Sequence, residues 1–265
     1  MTEGAASFSK ETIQFYKEYT GVNDVHNLEN HLMTIQQKLA KQGRINYRCI
    51  QRFKFAFSRI YERFFYKDLI KLGQTLEQQH QKPYFLDIGC CTGTDLRKMM
   101  LDGYPKNYLI GMDIEQCYID CGYELFKDNP DTCPIRFIID DLFTFQKTHV
   151  LCDTISIVHA GSVLHLFDLD QIVQFIHRAT WLLKIGGILV GGHVCADRST
   201  QYFRQATKSL KYYMAIDEFE QILIKEGFTD IRMETQPRIA EEDDEERDFT
   251  AYWVSFYAVY NPIEH

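Results

Sequence analysis

Phe85-Leu86-Asp87-Ile88-Gly89-Cys90-Cys91-Thr92-Gly93, followed by Leu109-Ile110-Gly111-Met112-Asp113, is the stretch whose reading decides the fold. An apolar strand runs into a glycine-containing loop, and a second apolar strand closes on a carboxylate. Gly89 and Gly93 let the backbone turn sharply and approach a bound nucleoside where any β-carbon would intrude. Asp113 lies 20 residues past Gly93, where a strand-end carboxylate can accept both hydrogens of a ribose diol. Several nucleotide cofactors carry that diol, so Asp113 alone does not choose among them.

Glycine spacing narrows the choice. A dinucleotide loop reads Gly-x-Gly-x-x-Gly, its middle glycine admitting a pyrophosphate to a helix N-terminus. That middle position is Cys91 in this chain, and Asp87 immediately before the loop would repel a pyrophosphate. The same carboxylate suits a cofactor whose amino-acid end carries an ammonium and a sulfonium.

Outward from the loop, strands alternate with helices, which implies a parallel sheet covered on both faces. The patterns predict strands at Tyr84–Ile88, Leu109–Asp113, Ile135–Ile139, Thr154–His159 and Ile188–Val194, with helices at Asp95–Asp102, Glu115–Asp128 and Asp168–Leu183. A further helix, Asp217–Glu226, stops at Gly227. Phe228–Glu234 and Phe249–Tyr260 then read as an antiparallel strand pair. The expected fold class is α/β: a Rossmann-like sheet of seven strands, mostly parallel with an antiparallel terminal strand, over residues 82–265. A helical extension precedes it over residues 1–81. Within that extension Leu28, Leu32, Ile35 and Leu39 recur at helical spacing, Gly43 breaks the pattern, and Phe53–Leu72 reads as an aromatic-rich helix ending at Gly73.

With 265 residues and 45% apolar side chains, the chain supports a substantial core. A net charge of −8 argues against nucleic acid as a partner, since no basic stripe is available to release counterions. The run from Glu241 to Asp248 is acidic and reads as a solvated loop. No segment is apolar enough to span a bilayer, and Met1 to Lys10 lacks the features of a signal peptide. A cytoplasmic location with reduced cysteines is therefore expected. Cys117 and Cys121 share a helix face without a second ligand pair, so no metal is expected.

Three further marks follow in order: Asp140-Asp141-Leu142 after the third strand, Cys152-Asp153 before the fourth, and Leu183-Lys184-Ile185-Gly186-Gly187 before the fifth. Together with the glycine loop, these make residues 84–260 resemble a class I, Rossmann-like S-adenosylmethionine-dependent methyltransferase. Phe85 to Lys98, with Asp102-Gly103 and Gly122 to Asp128, is more particularly similar to fungal small-molecule methyltransferases of meroterpenoid pathways, several of which esterify a carboxylate. Thr94 departs from the glutamine usual there, and the N-terminal segment is only loosely similar. The resemblance implies S-adenosylmethionine as cofactor. It places Asp87, Gly89, Cys90 and Gly93 at the methionine end, Asp113 at the ribose, and Ile114, Asp141 and Leu142 around the adenine.

His159, Ser162 and His165 fall at the carboxyl end of the fourth strand, and His193 at that of the fifth, where a doubly wound sheet places its ligand crevice. The three histidines are the candidate catalytic bases, and Ser162 is a candidate substrate contact. Phe15, Tyr16 and Tyr19 read either as core or as a substrate lid over the cofactor. His159-Ala160-Gly161-Ser162 stands where methylation of a nucleic-acid base amine would call for an Asn/Asp-Pro-Pro-aromatic turn. The expected activity is methyl transfer to an oxygen of a small, largely apolar molecule. A carboxylate is favoured and needs no base, whereas a hydroxyl needs one. The competing readings are an NAD-dependent oxidoreductase, a cofactor-binding module without catalysis, and a protein methyltransferase.

Overall fold

The computed structural model describes residues 9–43, 48–204, 209–238 and 248–262; most of the acidic run 241–248 lies outside them. Five parallel strands form the centre of the sheet: β1 (Phe85–Ile88), β2 (Leu109–Asp113), β3 (Arg136–Ile139), β4 (Ile155–Ala160) and β5 (Leu183–Ala196). Their spatial order is β3-β2-β1-β4-β5. Every residue of β1, β2 and β4 is buried, which is why these read as unbroken apolar runs rather than alternating ones. β9 (Ala251–Tyr260) lies antiparallel on β5, with Ile188 opposite Val259 and Ala196 opposite Ala251, and β8 (Phe228–Pro237) pairs on its outer side.

The sheet has nine strands rather than the expected seven. The additional pair, β6 (Thr200–Arg204) and β7 (Ser209–Ala215), continues from the end of β5, where β7 pairs with Cys195 and Ala196. The sequence pattern predicts no strand there because its alternation is incomplete. Phe203 and Leu210 are exposed while Tyr213 is buried against Phe249 and Ala251, so apolar residues occupy both faces.

Two helical layers cover the sheet. α7 (Leu169–Leu182) and α8 (Ile216–Lys225) place Ile172, Phe175, Phe219 and Leu223 against Leu86, Ile110 and Leu189. Asp168 and Gln171 start α7 with a reciprocal capping box. On the opposite face, α4 (Tyr66–Gln78), α5 (Thr94–Leu101) and α6 (Gln116–Phe126) bring Leu69, Leu96, Met99 and Ile119 onto Phe85, Leu109 and Val190. α1 (Lys10–Thr20) and α2 (Val25–Gln42) pack in turn on α6, where Phe15, Tyr16, Leu28, Leu32, Ile35 and Leu39 meet Leu125 and Phe126. A single turn, α3 (Arg48–Gln51), follows.

Residues 53–72 are not one helix. Short 3-10 turns at Lys54–Ala56 and Ile60–Glu62 precede α4, which then runs through Gly73 to Gln78. The irregular stretch is held by the glycine loop and α5. The carbonyl of Phe55 accepts from the hydroxyls of Thr92 (2.9 Å) and Thr94 (2.6 Å). Asp95 Oδ1 accepts from Ser58 Oγ (2.8 Å) and the amides of Arg59 (2.7 Å) and Ile60 (3.3 Å). Gly73 serves contact rather than termination, since the Tyr104 ring lies where its β-carbon would be, at 2.4 Å.

One buried ion pair joins these parts. Arg97, with no exposed surface, donates from Nε and Nη2 to the two oxygens of Asp128, each at 2.9 Å, and from Nη1 to the carbonyl of Thr92 at 2.8 Å. Tyr19 donates to the same carboxylate at 2.7 Å, and the guanidinium lies 4.4 Å from the centre of the Phe126 ring. Replacing one partner strands the other charge in the interior, at a cost of about 3–5 kcal/mol. Asp128→Ala should lose that much in urea unfolding, whereas Arg97→Met combined with Asp128→Leu should lose less than the single change. A loss below about 1 kcal/mol for Asp128→Ala, the size of an exposed pair, would mean the contact is not structural.

Candidate active site

Beyond β1 the backbone turns through left-handed conformations at Gly89 (φ 73°), Cys91 (φ 51°) and Gly93 (φ 67°). Cys91 thus keeps the conformation for which glycine is usual, at a cost of roughly 1–2 kcal/mol. The amides of Gly89 and Cys90 donate to the Met112 carbonyl at 2.8 and 3.1 Å, which fixes the loop over the end of β2. A β-carbon on Gly89 would point toward Val163, 3.4 Å away, so loop and β4 extension face each other across a space bordered by backbone. Gly122 in α6 allows close approach from behind, since a β-carbon there would lie 2.5 Å from the Thr92 carbonyl oxygen.

Asp113, at the end of β2, does more than its expected role requires. Oδ2 accepts from the Cys91 amide at 2.9 Å and Oδ1 from the Glu115 amide at 3.1 Å. Burial raises this carboxyl despite those amides, which pull it down. Each oxygen retains a lone pair for a diol. Ile114 follows with 48% of its surface exposed, an apolar side chain open at the same edge. Asp141 accepts from the Phe143 amide at 2.9 Å and caps the short turn Leu142–Thr144. Leu142 is buried in the core, so its backbone is what a ligand meets. Asp140 Oδ1 accepts from the Asp141 amide at 2.8 Å. An open loop face, a strand-end carboxylate, an exposed apolar side chain and a backbone amide together fit a nucleoside with an amino-acid tail.

The remaining expected site residues are placed as follows. Asp87 is 4% exposed and its Oδ1 meets His159 Nδ1 at 2.8 Å, so this carboxylate faces the histidine and not an open cofactor space. Burial raises Asp87, with His159 opposing. His159 is equally enclosed: its ring packs on Phe85, and a β-carbon at Gly161 would strike it at 2.6 Å. Asp87 engages its Nδ1 and fixes the ring at the end of β4. Phe15 and Tyr16 are buried, Tyr16 stacking on Phe126 at 5.4 Å and donating to the Ala56 carbonyl at 2.9 Å. With Tyr19 bound to Asp128, these rings pack on α6 and form no lid in this arrangement.

His193 lies close enough to His165 to feel a charge there. Burial lowers His165 to about 4, with the cations Arg59, Lys211 and Arg238 adding to the effect. His193 falls to about 3 by burial and by His165, and its ring packs on Phe219. Both are neutral near pH 7. Ser162 Oγ, His165 Nδ1 and both His193 nitrogens are buried without hydrogen-bond partners. The residues missed from sequence are Thr92, Thr94 and Asp95, which bind the 53–60 segment, and the Arg59 and Arg63 that this segment carries to the sheet edge. Only the fold makes these contacts. A separate open cavity of about 560 Å³, lined by Lys82, Arg136 and Lys184 among others, lies at the amino edge. Among the described residues no cluster of metal-ligating side chains occurs.

A methyltransferase domain family matches residues 85–187, and a meroterpenoid methyltransferase N-terminal domain family matches residues 3–56. The O-methyltransferase phiE of Fungal sp. (strain ATCC 74256) is 44% identical over 43% of this chain, a region spanning 39% of that relative's length. The methyltransferase ausD of Aspergillus calidoustus is 28% identical over 77% of this chain and 71% of its own. Among solved structures, the 1,6-didemethyltoxoflavin-N1-methyltransferase of Burkholderia thailandensis, with bound 1,6-didemethyltoxoflavin and S-adenosylhomocysteine, superposes with a TM-score of 0.53 at 14% identity. That superposition covers 91% of this chain and 92% of the neighbour. At this identity the likeness is one of fold.

Asp113→Ala should weaken S-adenosylhomocysteine binding by about 1.5–3 kcal/mol, the worth of hydrogen bonds to a charged group. Gly89→Val should abolish it, because a branched side chain would fill the open face of the loop at a positive φ. Isothermal calorimetry with S-adenosylhomocysteine checks both, and wild-type affinity in either variant would separate that residue from the cofactor.

Proposed function

Because the chain belongs to the class I, Rossmann-like S-adenosylmethionine-dependent methyltransferases, we propose that it methylates an oxygen of a small, largely apolar molecule, with a carboxylate as the acceptor. The observation that carries this reading is the state of the histidines. His159 is bound to Asp87, while His165 and His193 are held at about 4 and 3. A general base works best with a pKa near the operating pH, and burial moves His165 and His193 well below it. An acceptor already ionised needs no such group.

The cofactor, when bound, supplies a sulfonium methyl. A carboxylate oxygen lone pair could form the new O–C bond to that methyl as the C–S pair returned to sulfur, so the chain would not have to move a proton. What the chain contributes is placement in a dry site. The backbone at Gly89, Cys90 and Gly93 receives the methionine end, Asp113 holds the ribose, and Ile114, Asp141 and Leu142 enclose the adenine. Ser162, Val163 and His165 border the acceptor side.

A hydroxyl acceptor is the second reading, favoured by the unpartnered Nδ1 of His165. With a pKa of about 4, that ring stays neutral across pH 6–8, so turnover should be flat there for either acceptor. The substitutions separate the two. For a carboxylate, His159→Ala, His165→Ala and His193→Ala should each cost less than about tenfold in kcat; for a hydroxyl, one should cost about 10²–10⁴-fold. Turnover across a panel of matched acids and alcohols measures this, and a strong preference for the alcohols would overturn the carboxylate assignment.

A further inference from the structure

We propose that Arg59 and Arg63 form an anion site on the acceptor side of the crevice that takes the substrate carboxylate. The inference rests on the methyl-transfer reading of the same site and adds the residues that select the acceptor.

Arginine cannot shed its proton in a protein and presents five donors. Arg63 is half-buried, yet its guanidinium has one hydrogen-bond partner among the described residues, Ser255 Oγ at 2.8 Å from Nη1. Nη2 lies over β5, 3.3 Å from where a β-carbon on Gly192 would be. Arg59 makes no side-chain hydrogen bond or ion pair among the described residues. The nearby Asp95 oxygen is occupied by Ser58 Oγ and by the amides of Arg59 and Ile60. Burial and the Arg59 charge both act against the charged form of Arg63, and Asp95 and Glu62 oppose them from a distance. Among the described residues no carboxylate lies within ion-pair distance of either guanidinium. Such an arrangement calls for a counter-ion, and a bidentate carboxylate matches the guanidinium fork.

Placement assigns the counter-ion to the acceptor. Arg63 touches Gly192 and Ser255, which pair across β5 and β9. Gly192 in turn lies beside the Gly161 carbonyl at the end of β4. Asp113, Ile114 and Leu142 are on the other side, at the ends of β2 and β3. The Arg59 charge is felt at both Asp87 and His165. Ser162 Oγ and His165 Nδ1, buried without partners, belong to the same edge. Polar groups in that condition ordinarily meet a ligand or water.

The chemistry is consistent with turnover. A carboxylate oxygen has two lone pairs, so one oxygen can accept from a guanidinium while the other attacks the methyl carbon. The ester product carries no charge. It loses the ion pair that held the acid, which favours its release.

The test uses the full chain loaded with S-adenosylhomocysteine and three probes: 4-(trifluoromethyl)phenylacetate, its methyl ester and its primary amide, followed by ¹⁹F NMR titration. The acid should bind at least about tenfold tighter than the ester or amide. Arg59→Gln and Arg63→Gln should each remove most of that preference, and Arg63→Lys should restore part of it. Calorimetric affinity for S-adenosylhomocysteine should stay within about twofold of wild type in all three variants. The proposal is overturned if the acid shows no advantage or no measurable binding, or if its preference survives both glutamine variants. A loss of S-adenosylhomocysteine affinity without a change in acid preference would assign the pair to the cofactor's own carboxylate and equally overturn it. Failure of the wild type to bind S-adenosylhomocysteine would count against the methyl-transfer reading itself.

Discussion

Arg97 is wholly enclosed and permanently charged, so the chain around it must supply a matching carboxylate and acceptors for the remaining donors. Asp128 from the end of α6 provides the first and the Thr92 carbonyl of the glycine loop the second. The consequence is geometric. A loop whose position over β2 decides whether a nucleoside can enter is tied by one side chain to α5, α6 and, through Tyr19, α1. An apolar replacement of the pair could match its stability, because desolvating two charges offsets much of their attraction. It would leave the Thr92 carbonyl without its donor. On this view the ion pair matters chiefly for where the loop sits.

A second tie runs from the loop to the segment before α4. Thr92, Thr94 and Asp95 gather the backbone of residues 55–60, and this is what brings Arg59 and Arg63 to the carboxyl edge. Among the described residues before α4, the rings of Phe15, Tyr16 and Tyr19 are consumed in packing on α6, and the guanidinium of Arg63 lies over β5 beside Gly192. Ile60, Phe65, Tyr66 and Leu69 share an apolar cluster with Phe85 and Val190, so this segment and the sheet have one core in common.

Legibility followed the range of the interaction. β1, β2 and β4 are short apolar runs bounded by turn residues, and the glycine loop sits at one end of the first, so these strands and the turn after β1 could be read directly. The position of Cys91 could be read too, since its left-handed backbone preserves what glycine supplies elsewhere. Contacts between distant residues could not. Asp87 and His159 are 72 positions apart, and nothing in either neighbourhood tells a paired histidine from a free one. Phe15, Tyr16 and Tyr19 show the related ambiguity: helical spacing of aromatics marks a buried face without saying what buries it. The hairpin β6–β7 escaped notice because Phe203 and Leu210 break the period-two signal a half-buried strand should carry.

Charge distribution links the fold to the chemistry. The chain carries a net charge of −8, yet the charges felt by His165 are Arg59, Lys211 and Arg238, all cationic. A low-dielectric crevice concentrates that local field, whatever the sign of the whole molecule. The same field that keeps His165 unprotonated attracts an anion and lowers the energy of a carboxylate relative to its acid. On the proposed carboxylate reading, the acceptor is kept ionised by where it sits, before any bond is made. A histidine base would have to work against those cations each time it took up a proton, whereas a carboxylate enters with its charge already matched. Electrostatics that are unfavourable to one mechanism thus serve the other, and the economy of the site lies in needing only position.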